Sequence, residues 1–230
     1  MQKITKIIAY LLFGVAIFLL GYATVTGMTH NYMLFSFLLA AGICGLFFVS
    51  FESRRPALRD IMPVIIICTL ASAGRVIFGF LPQVQPVTAI VIITGICYGR
   101  QTGFLTGALC ALVSNMIMGQ GPWTPWQMLA WGIIGWIAGI FGKFSWGKRW
   151  IPVLCDGALS GMLFSMITDI WTVASLGMSI TAASTWMIFV TGFLFNISHS
   201  VGNVIFLLLL YRPMSKKMER MKQKYGVLIS

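Results

Sequence analysis

The sequence predicts an all-α fold, a polytopic integral membrane bundle of about eight transmembrane helices. Of the 230 residues, 58% are hydrophobic and only 9% are charged, whereas soluble globular domains carry about 25% charged residues. The chain also divides into apolar runs near the length of about 20 residues that crosses a bilayer. Its basic residues fall on alternate connections between these runs. Together these observations are typical of a multi-pass membrane protein.

Short polar stretches separate the predicted spans. In chain order, the spans are residues 4–26, 32–51, 60–80, 86–98, 102–118, 127–143, 151–175 and 185–211. The first has the basic start of a secretory signal, MQKITK, but no small-residue cleavage site follows it and a second span does. The fourth is the shortest, so the number of spans could differ by one.

Residues 53–59, SRRPALR, interrupt the apolar pattern with charge and proline. We therefore expect three parts. Residues 1–56 form a two-helix N-terminal extension, residues 57–212 a six-helix core, and residues 213–230 a basic tail.

Fifteen of the sixteen Lys and Arg residues lie at the N-terminus, on the connections of one side or in the tail, and Arg75 is the exception. The positive-inside rule then places both termini in the cytoplasm, and we expect the chain in the plasma membrane of a prokaryotic cell. The net charge of +11 is explained by this topology, so no nucleic-acid partner is expected. The five cysteines have spacings that match no metal or disulfide framework, and neither a metal nor a cofactor is predicted.

Three predicted spans carry small residues four positions apart. These pairs are Gly103 and Gly107, Gly135 and Gly139, and Gly157 and Gly161. Because this spacing places both members on one helix face, it predicts helices that approach one another closely in the membrane.

Polar side chains inside the spans gather toward the predicted outer surface. Arg75 and Asp169 lie about 8 and 9 Å from it, and Asn115 about 6 Å, by the rise of an α-helix. Asn196 and His199 lie somewhat deeper. An intramembrane charge is costly unless it is paired or hydrated. Two alternatives follow, a structural ion pair with interhelical hydrogen bonds, or the floor of a pocket open to the outside.

Two predicted outer connections share an unusual composition, LPQVQP at 81–86 and GQGPWTPWQM at 119–128. Glycine and proline stop the adjoining helices, and tryptophan rings settle at membrane interfaces. Interface anchoring does not explain the glutamines, which indicate recognition of a large ligand with amide and ring surfaces. The candidate ligand-binding residues in these connections are Gln83, Gln85, Gln120, Trp123, Trp126 and Gln127.

Two stretches resemble the substrate-binding subunit, or S component, of energy-coupling factor (ECF) vitamin transporters. They are ASAGRVIFGFLPQVQPVTAIVIITGICYG and SNMIMGQGPWTPWQM. The resemblance covers about two thirds of the chain and implies a six-helix binding protein without enzymatic activity. It also implies that this protein joins a transmembrane coupling subunit and two ATPase subunits of an ABC-type importer. The two-helix extension departs from the usual six-helix pattern.

The arginine in the first core helix and the PWTPWQ loop look most like the cobalamin-type members of that family. Members share a fold while their pocket residues differ, so riboflavin or another cofactor precursor is an alternative ligand. The resemblance also places small-residue coupling contacts on the third span. There Thr69 and Ala73 lie roughly 120° and 160° around the helix from Arg75.

Two other classes of function are less consistent with the sequence. An intramembrane serine protease could use Ser160 in GALSG with His199, but the GxSG pattern is absent and nothing supplies an oxyanion hole. A passive channel needs a continuous polar stripe, whereas the inner halves of the third to sixth spans are almost entirely apolar. Both therefore rank below a one-sided binding pocket.

Overall fold

The computed structural model describes residues 38, 40–46, 48–49, 58–176, 178 and 181–227. The first predicted span, half of the second and residues 53–57 of the boundary stretch lie outside these residues. From residue 58 on, the described chain forms seven α-helices and a 3-10 turn at Trp146–Lys148. The helices are α1 Leu58–Ile77, α2 Val87–Tyr98, α3 Arg100–Met118, α4 Thr124–Phe141, α5 Trp150–Ser175, α6 Ala182–Thr191 and α7 Phe193–Tyr225.

Helices α1 to α5 lie at the positions of the third to seventh predicted spans, within three residues at each end. Four of the seven helices, α1, α3, α5 and α7, are long and apolar enough to cross a membrane, and α2 and α6 are shorter apolar helices. Helix α4 begins three residues earlier than predicted because Pro125 lies in its first turn. A helix tolerates proline there, where no backbone N–H is required.

The C-terminal helices have other bounds than the eighth predicted span. The eighth predicted span is divided at Gly192 into α6 and α7. Residues 213–225 of the predicted basic tail continue α7 through Pro213 to a left-handed cap at Gly226. This segment folds onto the bundle, because Met218 is buried and its carbonyl accepts a hydrogen bond from the Tyr98 hydroxyl.

Helix α2 forms the centre of the bundle. All of its residues except Cys97 are buried, and it packs against α3, α4 and α7. A helix that is apolar on every side is typical of such a central position.

The close approach predicted from the glycine pairs is confirmed between α3 and α4. A Cβ atom on Gly103 would collide with the backbone of Gly135, and one on Gly107 with the backbone of Trp131. Gly139 lies equally close to the backbone of Arg100. Backbone therefore touches backbone along this interface, which we call the glycine seam.

The third pair, Gly157 and Gly161, lies between α5 and α7. Gly157 contacts Leu207, and Gly161 contacts the backbone and hydroxyl of Ser200. The Asn203 amide donates to the Gly157 carbonyl at 3.1 Å. This buried hydrogen bond fixes the register of the two helices.

The described residues of the second predicted span pack against the core. Ala40 and Cys44 share a buried cluster with Phe104, Trp126 and Leu129. This part of the extension therefore covers α3 and α4 and leaves one face of α1 uncovered, where Ile66 and Leu70 are exposed.

Candidate functional site

A small cavity lies where the α1–α2 and α3–α4 connections meet, at the end of the bundle predicted to be extracellular. We call this end of the bundle the loop end and define it by residues 78–86 and 119–123. The cavity has a volume of about 100 Å³. Its lining residues are Arg75, Gln83, Gln85, Val87, Thr88, Gln127, Trp131, Phe164 and His199.

Arg75 is 8% exposed and joins three parts of the bundle. Its Nη1 donates to Ser114 Oγ at 2.5 Å and to Asn115 Oδ1 at 2.6 Å on α3. Its Nε donates to Gln85 Oε1 at 3.2 Å, and its guanidinium carbon lies 5.0 Å from the centre of the Trp131 ring. In the described residues, every one of these partners is uncharged.

The ion pair between Arg75 and Asp169 is therefore not formed. Asp169 is half-buried on α5, and its Oδ2 has no hydrogen-bond partner among the described residues. Sharing a depth in the membrane did not bring the two side chains together, because depth does not determine which way each helix face is turned.

Asn115 connects Arg75 to the 119–128 stretch. Its Nδ2 donates to Thr124 Oγ1 at 3.0 Å and to Gln127 Oε1 at 2.8 Å. Thr124 donates in turn to Gln120 Oε1 at 2.8 Å. The glutamines of this stretch thus form a polar network that holds the start of α4 against the end of α3.

A second buried chain crosses the cavity from α4 to α7. Trp131 Nε1 donates to Thr88 Oγ1 at 3.0 Å, and the same oxygen lies 3.0 Å from His199 Nε2. Phe164 completes the wall, with its ring centre 4.7 Å from that of Trp131 and 5.0 Å from that of His199. Trp131 and Phe164 give this wall an aromatic surface, and the imidazole of His199 adds polar ring nitrogens to it.

Gln83 lies in the α1–α2 connection with a φ of +62°. A residue other than glycine in this left-handed region is uncommon, and such strain clusters at functional sites. This conformation accompanies a side chain that lines the cavity.

The other predicted site residues lie outside the cavity lining. Trp123 is partly exposed on the surface, whereas Trp126 is 3% exposed and packs toward Phe104 and the extension. Asn196 is buried and donates to the Phe189 carbonyl at 3.4 Å. Asp169 does not line the cavity either. Of the predicted set, Arg75, Gln83, Gln85, Gln127 and His199 share the cavity, and Asn115 and Gln120 reach it through hydrogen bonds.

Sequence reasoning missed Val87, Thr88, Ser114, Trp131 and Phe164. Two of them had a readable signal, because Ser114 precedes Asn115 and Trp131 follows Gln127 by one helical turn. Nothing in the sequence distinguishes Thr88 from Thr94, the other threonine of α2. Phe164 is one apolar residue among many in α5.

The serine protease alternative has no support in the described geometry. His199 Nε2 faces Thr88 rather than a serine. Ser160 is buried next to Gly161 at the α5–α7 interface, and its side chain bonds Asp156.

We expect Thr88→Val to destabilise the protein and to weaken ligand binding. It leaves Trp131 Nε1 and His199 Nε2 buried without their shared partner, which costs about 1–3 kcal/mol for each unsatisfied group. Thr94→Val is the matched control, because Thr94 is equally buried in the same helix but bonds only the Ile90 carbonyl. Thermal unfolding in detergent should rank Thr88→Val well below Thr94→Val. Equal losses would show that the chain from Trp131 to His199 has no special role.

An all-helical membrane bundle with a polar cavity at one end has the architecture of a membrane-embedded binding protein. Residues 65–216 match the family model described as ECF-type riboflavin transporter, S component. This match spans about two thirds of the chain, and the chain therefore belongs to the ECF S-component family. Neither the curated proteins nor the solved structures include a match to it.

S components are vitamin-binding membrane subunits of ECF importers, and they work with a transmembrane coupling subunit and ATPase subunits. The family is one of transport proteins, not of enzymes. The membership confirms the resemblance at the level of the family. The cobalamin-type specificity remains a prediction, because the matched model is named for riboflavin.

Proposed function

We propose that this chain binds a vitamin with high affinity in the cavity at the loop end and presents it to an ECF module. The observation that carries the proposal is the buried Arg75, held by Gln85, Ser114 and Asn115 beside an aromatic wall. Ionisable groups inside a membrane segment are expensive and mark substrate paths. Polar groups that converge beside aromatic side chains in a concave site are typical of small-molecule pockets.

The cavity is smaller than an occupied pocket, which is typically about 300–1,000 Å³. A vitamin must therefore move the two connections apart or extend beyond the cavity over them. The glutamines and Trp123 would then contact the outer part of the ligand, and the rings of Trp131, Phe164 and His199 the inner part.

Cobalamin is the ligand we propose first. It is large, carries several amide groups and offers a ring system, which suits the amides and indoles of residues 81–86 and 119–128. Riboflavin is the second candidate, because the matching family model carries its name and its flat ring could stack on Trp131. Thermal unfolding of the purified protein with each compound tests both candidates, since a ligand at 100 times its Kd stabilises by about 2.7 kcal/mol. A transition unchanged by either compound would contradict both assignments.

We further propose that Thr69 and Ala73 contact the coupling subunit. Both are exposed on α1, whereas Arg75 is buried in the same helix. Small exposed residues four apart permit another helix to approach closely. One helix would then serve the ligand on one side and the partner on the other.

The isolated chain should bind its ligand but not accumulate it. Its 230 residues contain no GxxxxGK[ST] sequence, the loop with which many ATPases hold phosphates. Proteoliposomes with this subunit alone and ATP on both sides should take up no more labelled cobalamin or riboflavin than empty liposomes. Adding a coupling subunit and ATPases should raise uptake well above that level. Sustained accumulation by the chain alone would contradict the proposed function.

A further inference from the structure

The charge of Arg75 is not balanced by any described acidic side chain. The chain has only five Asp and Glu residues, and Asp60, Asp156, Asp169 and Glu219 are described. None of these four lines the cavity or bonds Arg75, whose partners are uncharged. A buried charge without a counter-charge is unfavourable, so the site favours a ligand that brings a negative charge.

Arg75 also has hydrogen-bond donors that the described residues do not use. A guanidinium has five N–H donors in a fixed fork. Three are used, two from Nη1 and one from Nε. The two N–H groups of Nη2 make no hydrogen bond with the described residues, and Arg75 lines the cavity.

His199 offers another unused donor. Thr88 Oγ1 accepts from Trp131 Nε1, and the acceptor within reach of its single hydroxyl proton is His199 Nε2 at 3.0 Å. If Nε2 accepts that proton, the neutral ring carries its own proton on Nδ1. Nδ1 has no partner among the described residues, in a side chain that is 4% exposed and lines the cavity.

The side-chain amides of Gln85 and Gln127 also leave hydrogen-bond donors for a ligand. The Oε1 atoms of Gln85 and Gln127 accept from Arg75 and Asn115, respectively. Their Nε2 groups are therefore the ends left for a ligand. Donors predominate among the polar groups still free at this cavity.

We propose that the cavity is an oxyanion receptor, in which Arg75 Nη2 and His199 Nδ1–H hold a phosphate, phosphodiester or carboxylate group of the ligand. This inference rests on the proposed function and narrows it to vitamins, or forms of vitamins, that carry such a group. Arginine suits this task because its planar fork matches the oxygens of phosphate and carboxylate. Cobalamin meets the requirement through its phosphodiester, whereas riboflavin meets it only as its phosphate, FMN.

Two matched pairs of compounds test the inference on the purified full chain. Cobalamin is compared with cobinamide, which lacks the phosphodiester and its nucleotide, and FMN with riboflavin. Dissociation constants from titration should favour the oxyanion-bearing member of the recognised pair by about 100-fold, the range of a charge-assisted hydrogen bond that is lost. If the cavity recognises a phosphodiester, the difference appears between cobalamin and cobinamide. If it recognises a phosphomonoester, the difference appears between FMN and riboflavin.

Two variants attribute the preference to Arg75. Arg75→Gln removes the charge and should reduce the preference to less than about threefold, chiefly by weakening the anionic member. Asn115→Asp retains Arg75 but places a carboxylate on the atom that already accepts its Nη1 bond at 2.6 Å. This internal counter-charge should compete with the ligand and reduce the preference to a similar extent. Thermal unfolding of both variants checks that they are folded.

The outcomes separate the inference from the proposed function. Equal binding of both members of a pair by the wild-type chain, or an undiminished preference in a folded Arg75→Gln variant, would overturn the inference and leave vitamin binding intact. If none of the four compounds binds to folded wild-type protein, the proposed ligands and the inference fall together.

Discussion

Replacing Ala73 with Leu should reduce ECF-dependent uptake to background while the isolated subunit keeps its affinity for the vitamin. Ala73 is exposed on α1, so the larger side chain adds no strain to the bundle. Instead it projects into the space that a coupling-subunit helix needs for close contact. Arg75 lies on the opposite, buried side of the same helix, which is why the ligand site should be unaffected. Co-purification of the complex, uptake and ligand titration measure the three effects.

Ala183→Leu is the matched control for this substitution. Ala183 is also an exposed alanine on an apolar helix, but it lies on α6, away from the proposed coupling face. This variant should assemble and transport like the wild type. Normal assembly and uptake by Ala73→Leu would mean that the coupling subunit binds elsewhere. A loss in both variants would indicate a general effect of bulk in the membrane.

Much of this architecture could be predicted because the membrane imposes simple rules. A span must be apolar over a fixed length, and this identified α1 to α5 within three residues at each end. Glycines four apart must share a face, and the glycine seam follows from that. The angle between Ala73 and Arg75 needed only the helical repeat, and their opposite exposure agrees with it.

The details of the cavity depend on how the helices are turned toward one another, and depth along a helix does not contain that information. Asp169 lies in the same predicted layer as Arg75 but on a face turned elsewhere. Trp126 and Gln127 are neighbours in sequence and therefore differ by about 100° around α4. Gln127 lines the cavity, whereas Trp126 packs toward Phe104.

The C-terminal helix was underestimated for a related reason. By composition alone the segment is polar, because it contains Lys216, Lys217 and Arg220. At helical spacing, however, Met214 and Met218 share one face and pack onto the core, whereas Lys216 and Arg220 lie on the other side of the helix. An amphipathic helix that continues a span has the composition of a charged tail, and only the helical periodicity of its apolar residues distinguishes the two.

Gly107→Ala should disrupt both the fold and the ligand site, although it adds only one methyl group. In an exposed helix this change would be favourable by about 1 kcal/mol. Here the new Cβ would collide with the Trp131 carbonyl group and lie 2.9 Å from the Gly132 nitrogen. Backbone atoms cannot rotate away as a side chain does, so α4 must move as a unit. We expect destabilisation of about 3 kcal/mol, the upper part of the range for overpacking.

The movement of α4 would also displace Trp131, which stacks on Arg75 and bonds Thr88. Ligand affinity should therefore fall together with thermal stability, although Gly107 does not line the cavity. Gly192→Ala is the control, because the nearest atom to its added Cβ is the Ile188 carbonyl oxygen at 3.5 Å, an ordinary contact. Its stability should change by less than about 1 kcal/mol. If Gly107→Ala unfolds at the wild-type temperature and binds normally, the glycine seam can accommodate a methyl group. The proposal that α3 positions Trp131 rigidly is then wrong.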